Sequence, residues 1–360
     1  MAYLSKKPLL LRRLPLLVLL AAAAQTQAQD RYNITVVGSP AAPFYGLEVN
    51  NAGQIAGTVL TPAGVGQAAL YSRGTITPLG SLGGGYSIGL GINERGDVVG
   101  SSFNSAGQLH GFLYTNGSMR DIGTLGGTYS DAEAINNAGQ ITGSSTTTDN
   151  MQHAYRYTRG TFTDLGTLGG PTSYGRDINA RGDVVGASTT SNDVSMTMHA
   201  FFHDGTRMRD LGTLGGRNSS ALAINDPGRI VGYAETASGQ GHAFLYVNGT
   251  MQDLGTLAGP QSIATGINNQ GQIVGWSTYS NTTYDTHAFI YRDGRMQDLN
   301  SLIDPASGWT IPEAWDINNR GQIVAFGCRT EGCTTLLLTP AGGAAEPAME
   351  QPAASQPGAD

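Results

Sequence analysis

One phrase recurs seven times along the chain and limits its fold more than any other feature: EVNNAGQIAG (48–57), GINERGDVVG (91–100), AINNAGQITG (134–143), DINARGDVVG (177–186), AINDPGRIVG (223–232), GINNQGQIVG (266–275) and DINNRGQIVA (316–325). Its first Asn falls at Asn50, Asn93, Asn136, Asn179, Asn225, Asn268 and Asn318, so the spacings are 43, 43, 43, 46, 43 and 50 residues. A period in the forties belongs to propeller blades, and two-helix solenoid repeats overlap it. Strand and turn chemistry separates the two. Each phrase sets a short apolar run before Asn-x-x-Gly and an Ile/Val-rich run after it, the pattern of a hairpin. A second hairpin follows, for example His110-Gly-Phe-Leu-Tyr, then Asn116-Gly117, then a further alternating run. A helical period appears nowhere after the leader, and each of the frequent Gly residues would cost a helix about 1 kcal/mol.

Each repeat therefore holds four strands. Strand A precedes the first Asn and B follows the Gly. C is the His-Ala-Phe segment, and D is the Asp-Leu-Gly-Thr-Leu segment. Four-stranded units arranged about an axis predict an all-β propeller of seven antiparallel blades, with an open stack of sheets as the alternative. The chain ends favour the ring. Tyr32–Gly38 (YNITVVG) is an orphan D strand, whereas the seventh repeat stops after C at Thr334–Leu338. A ring closed by its own N-terminal strand needs that offset, and closure would hide two end sheets that an open array must cap.

The recurring His-Ala-Phe, the DLGTLGG segments (121–127 as DIGTLGG, 164–170, 210–216) and the INNxGQIVG phrase resemble the HAF family of extracellular repeat proteins, over about Ile34 to Leu338. The resemblance implies a bacterial exported repeat protein of propeller-like form, and carries no reaction with it. The end repeats depart from the pattern. Gln67-Ala-Ala-Leu-Tyr stands where the first His motif belongs, and Cys333-Thr-Thr-Leu-Leu where the last does.

Residues 1–28 read as a signal peptide: a basic start, the apolar stretch Leu14–Ala24, and small residues framing a cut after Ala28. That stretch is too short to span a bilayer, which takes roughly 20 residues. The propeller is expected over 29–339, and the Pro/Ala/Gly-rich tail 340–360 is expected to be disordered. Without the four leader cations the chain carries 16 Arg, no Lys and 27 carboxylates, a formal charge of −11. Such a body lacks the clustered cations that nucleic acid or anionic membrane requires. The expected location is periplasmic or extracellular, as a monomer with no stable membrane insertion.

The repeated polar residues read as structural. His110, His153, His199, His242 and His287 stand one per blade, too dispersed for a metal site. Their expected partners are a Ser of the D–A loop (Ser87, Ser130, Ser173, Ser219, Ser262) or the Asp of strand D (Asp121, Asp164, Asp210, Asp253, Asp298). GTLGG is followed by no helix, so it makes no phosphate cradle, and no motif calls for a cofactor. Cys328 and Cys333, the only cysteines, are expected to form a disulfide across the last B–C turn.

Function is sought where the repeats differ. Two residues before the Asn they read Glu48, Gly91, Ala134, Asp177, Ala223, Gly266 and Asp316. In a ring, Glu48 and Asp316 become neighbours near the axis, able to bind a cation, to act as acid and base, or simply to lie solvated. The B–C and D–A loops vary most and gather Tyr86, Tyr129, Tyr174, Trp276, Tyr279, Tyr284 and Trp309. Such rings suit sugars and protein hot spots alike, and some of them will pack between blades. The expected function is non-catalytic binding of a glycan, peptide or protein on that loop face, near blades six and seven. The alternatives are a propeller-type polysaccharide hydrolase or lyase and a self-associating surface protein.

Overall fold

In the computed structural model, which describes residues 31–39, 41–191, 197–280 and 285–342, every Asn-x-x-Gly phrase closes a hairpin. In the first, Gly53 N–H donates to Asn50 O and Asn50 N–H donates to Gln54 O, while the Asn50 Oδ1 takes the N–H groups of Ala52 and Gln54. One side chain thus satisfies the turn from inside. Gly53 sits at φ 73°, which an L side chain adopts only with strain. The C–D turn at Asn116-Gly117 places both residues in the left-handed region, with φ values of 50° and 79°, as the tightest hairpins demand.

The fold is all-β. No α-helix occurs among the described residues, and the last repeat holds two short 3-10 turns, Leu299–Leu302 and Pro305–Ser307. Strands follow the order A-B-C-D within each repeat. In repeat 2 they are Gly83–Ile92, Val98–Asn104, Leu109–Thr115 and Ser118–Gly123. Tyr32–Ser39 lies antiparallel to Gly332–Pro340, with Ile34 opposite Leu338 and Val37 opposite Thr335, so the first strand supplies the D position of the seventh repeat. Through the pairs Gly38–Pro43 and Ser39–Ala42 the same strand touches Ala42–Val49, which joins the seventh and first repeats in one eight-stranded sheet. Pro340, read from sequence as the start of the tail, pairs instead with Tyr32 at the end of that strand. The leader and the tail beyond residue 342 lie outside the described residues.

The apolar faces of successive sheets press together. In repeats 2 to 6 a buried aromatic of strand C (Phe112, Tyr155, Phe201, Phe244, Phe289) fills the space beside the Ile/Val run of strand B. Polar groups between sheets are paired one for one. Ser219 Oγ donates to Gly212 O of the preceding repeat at 2.5 Å and accepts the N–H of Ala200 at 2.8 Å. Ser87, Ser130, Ser173 and Ser262 do the same at the four equivalent junctions. The His residues take the other expected partner, with Nδ1 2.7–3.0 Å from the Asp of strand D in all five repeats. Cys328 and Cys333 are bonded, directly opposite one another across the last B–C turn.

The seven Asn residues do more than close turns. Asn50 Nδ2 donates to Asn93 O, Asn93 to Asn136 O, Asn136 to Asn179 O, and Asn179 to Asn225 O. Asn225 then donates to Asn268 O, Asn268 to Asn318 O, and Asn318 back to Asn50 O at 2.9 Å. Each Asn is buried, and losing one would leave the next carbonyl with only the Gly N–H of its own turn.

Candidate functional site: the central cavity and the loop face

A cavity of about 210 Å³ is lined by equivalent residues of all seven repeats, with the Asn residues at one end. A second of about 120 Å³ shares Glu48, Asp177 and Asp316 with it and adds Leu47, Glu133, Arg176 and Trp315. The expected meeting of Glu48 and Asp316 therefore occurs, and Asp177 joins them. None of the three is free to act alone. Asp316 Oδ2 accepts the N–H of Val49 at 3.0 Å, and Glu48 Oε2 that of Ile92 at 2.9 Å. Asp177 accepts from both Ile178 and Ile224 at 2.7 Å. Each acid thereby serves the inner strand of the following repeat, whose N–H would otherwise face the cavity unpaired.

Confinement shifts their protonation. Burial, followed by the negative charges of Asp316 and Asp177, pushes the Glu48 carboxyl well above its usual range. Burial likewise raises Asp177 and Asp316 to about 6 each, against the opposing pull of their backbone donors. Glu133, lifted to about 7 by burial and by Asp131, is held by Arg176 at 2.8 Å. Among the described residues no three His, Cys, Asp or Glu side chains converge as metal ligands.

At the other end of the cavity the B–C and D–A loops emerge. Most of the large exposed apolar side chains among the described residues collect here: Leu60, Val65, Phe103, Met151 and Tyr279 lie in or beside B–C loops, whereas Val36 and Tyr45 lie on the strands Tyr32–Ser39 and Ala42–Val49. The aromatics singled out from sequence fare differently. Tyr279 is 49% exposed and stacks on His287 with ring centres 4.0 Å apart. Tyr86 leans on Phe103, Tyr174 and Trp276 are half-buried, and Tyr129 spends its hydroxyl on Asp131 at 2.7 Å. Trp309 is no surface anchor. It is 9% exposed, packs in the core with Leu299, Leu302 and Leu336, and carries Arg329 over its ring. The two 3-10 turns before it fold the long insertion back onto the sheet. Tyr284 lies outside the described residues.

Trp276 belongs to a column of the repeat whose pattern was not read from the sequence. The residue after the Gly (Ala in repeat 7) of each B strand is Thr58, Ser101, Ser144, Ala187, Tyr233, Trp276 and Phe326 in turn. Aromatics thus occupy this position in repeats 5, 6 and 7 alone, all three half-buried. Phe326 stacks with Tyr45 of the first repeat at 6.4 Å and lies directly opposite Glu313 in its own sheet. The signal was a column of the repeat that turns from small and polar to aromatic within a single chain.

A family described as "Protein of unknown function (DUF3466)" matches residues 172–332. No curated protein matches the chain. Among solved structures it is similar to a puromycin-hydrolyzing peptidase of Mycobacterium tuberculosis, at 12% identity over 88% of this chain and 54% of that one, TM-score 0.58. An acylaminoacyl peptidase of Pyrococcus horikoshii gives 11% identity over 82% of this chain and 51% of that one, TM-score 0.54. The chain thus spans about half the length of either peptidase. YCF48 bound to D1 peptide gives 11% identity over 88% of this chain and 98% of that one, TM-score 0.50. At such identities the likeness concerns fold alone, and that fold is of β-propeller type.

Proposed function

We propose that the chain is an exported, non-catalytic β-propeller of seven blades, closed by its N-terminal strand, which binds a peptide segment of a partner on its loop face. The circuit of Asn bonds from Asn318 to Asn50 and the pairing of Tyr32–Ser39 with Gly332–Pro340 support closure. A signal-like leader, the HAF phrase and a disulfide support export. The binding reading is carried by one observation. Exposed and half-exposed apolar side chains gather at the B–C ends of the blades, while the opposite face is a near-uniform array of Asn and Gly turns. Clustered apolar surface on one face of a protein marks a contact site. That YCF48, similar over nearly its whole length, has been solved with a peptide favours a peptide over a sugar. Commitment of Glu48, Asp177 and Asp316 to backbone N–H groups argues against acid–base hydrolysis.

The test is capture of partners by the mature chain and by a variant with Leu60, Phe103 and Met151 replaced by Ser. The variant should keep its melting temperature and lose the captured partners. Capture that survives, or release of reducing sugar from polysaccharide by the parent, would displace this reading.

A further inference from the structure

Glu313 is a half-buried carboxylate on an inner strand, toward the loop face, with aromatic residues beside it. It stands on Thr310–Ile317 opposite Phe326, and directly opposed residues of antiparallel strands point to one side with Cβ atoms about 4.5–5.5 Å apart. Phe326 in turn stacks with Tyr45. The repeat supplies the remaining wall. Phe326 of repeat 7 faces Tyr45, which lies five residues before its Asn. One repeat earlier Trp276 holds the place of Phe326, and Glu313, five residues before Asn318, holds the place of Tyr45. The strand of Trp276 packs against the strand of Glu313. Repeat equivalence therefore sets Trp276 beside the carboxylate as Phe326 stands beside Tyr45.

Glu313 is half-buried, and burial is the single influence that raises its pKa. Among the described residues no Arg offsets its desolvation, whereas Glu133 has Arg176 and Asp97 has Arg95. Arg329, at the loop end of the adjoining strand, stacks on Trp309 and pairs with Glu331. A desolvated carboxylate between aromatic faces has the chemistry of a receptor for an organic cation, which both the ring quadrupoles and the charge attract. The acidic body draws such groups from a distance.

We propose that Glu313, Trp276, Phe326 and Tyr45 form a pocket for the cationic side chain, Arg or Lys, of a bound peptide. This rests on the peptide reading above and adds its specificity. It is tested with the mature chain on an array of acetylated, amidated nonapeptides in which the central residue is varied over all side chains. Peptides with central Arg or Lys should be retained at least about tenfold better than those with Gln or norleucine. Glu313→Gln should erase that preference, and Trp276→Leu should weaken it several-fold, both with unchanged melting temperature. Peptides retained without preference for Arg or Lys, or a preference that survives Glu313→Gln, would overturn the pocket and leave the peptide reading standing. Retention of no peptide at all would overturn both. Competition by free methylguanidinium as effective as by the Arg peptide would overturn the assignment to a polypeptide.

Discussion

The five junctions between repeats 1 and 6 and the seam of this molecule meet the same demand with opposite parts. Between repeats 1 and 6, the following repeat lends a Ser that reaches back to bond a carbonyl and an N–H of its predecessor. At the seam the predecessor reaches forward. Thr335 Oγ1 donates to Phe44 O at 2.6 Å and accepts from Gly46 N–H at 2.8 Å, while Thr334 Oγ1 donates to Val37 O. Between repeats 6 and 7 a side chain of the 3-10 turn intervenes, with Asn300 bonding both the N–H and the C=O of Ile311. Repeats 2 to 6 tie C to D with His and Asp, whereas repeat 7 ties B to C with a disulfide. The polar pairing is conserved as a physical requirement while its chemistry is free to change. Divergence of the seam is therefore not weakness.

Removal of the strand that makes the seam should have the largest effect. Deleting residues 31–39 strips Tyr32 and Val37 from the core and bares the edge of Gly332–Pro340. An unpaired edge invites association. The truncated chain should lose its sharp melting transition and scatter light on warming. A truncated chain that melts like the parent would show that the seam carries little of the stability.

Next in size comes a matched pair. Ser219→Ala in the body and Thr335→Val at the seam each leave one buried N–H and one buried C=O without a partner. Each should cost about 1–3 kcal/mol in chemical denaturation. Equal losses would support the equivalence of the two devices. A seam loss several times smaller would mean that water replaces Thr335. The disulfide ranks close behind. Its loop is short, so replacing Cys328 and Cys333 by Ser should cost roughly 2 kcal/mol by the chain-entropy estimate. A reductant should bring the parent to the same midpoint.

What could be read from the sequence follows the same division. Asn50, Ser219 and His199 stand in columns that repeat through seven, five and five units, and a residue that recurs in register must meet similar neighbours each time. That they are structural was legible for that reason, and the His–Asp partnership with it, whereas the Ser bridges to backbone groups and the Asn bonds between repeats were not. Residues present once were not. Asn300 has no counterpart in other repeats, and Thr335 bonds residues 289 and 291 positions away. Trp309 was misread because an aromatic ring in a long insertion suggests exposure, and only the fold shows the insertion turning inward. Glu313 became visible once Phe326 and Tyr45 were seen to meet across the seam.

The smallest expected effect also discriminates seam from body, because two of the three cavity carboxylates, Glu48 and Asp316, belong to the seam and Asp177 to the body. In an unfolded chain such groups titrate near 4. In the folded protein Asp177 and Asp316 titrate at about 6, and Glu48 is raised as well. The folded state therefore holds these protons more tightly. Its advantage is full below about pH 4 and is lost as the pH rises through about 6. Lowering the pH from 7 to 5 should raise the melting temperature of the parent relative to a Glu48→Gln/Asp177→Asn/Asp316→Asn variant, whose amide oxygens still accept the N–H bonds. Other carboxylates titrate equally in both proteins and cancel from the difference. The gap should shrink more on restoring Glu48 and Asp316 than on restoring Asp177, because the charges of Asp316 and Asp177 act on Glu48 and the seam pair holds two of the three groups. A gap that is absent, or that widens as the pH rises from 5 to 7, would mean that the cavity admits enough water to solvate all three charges.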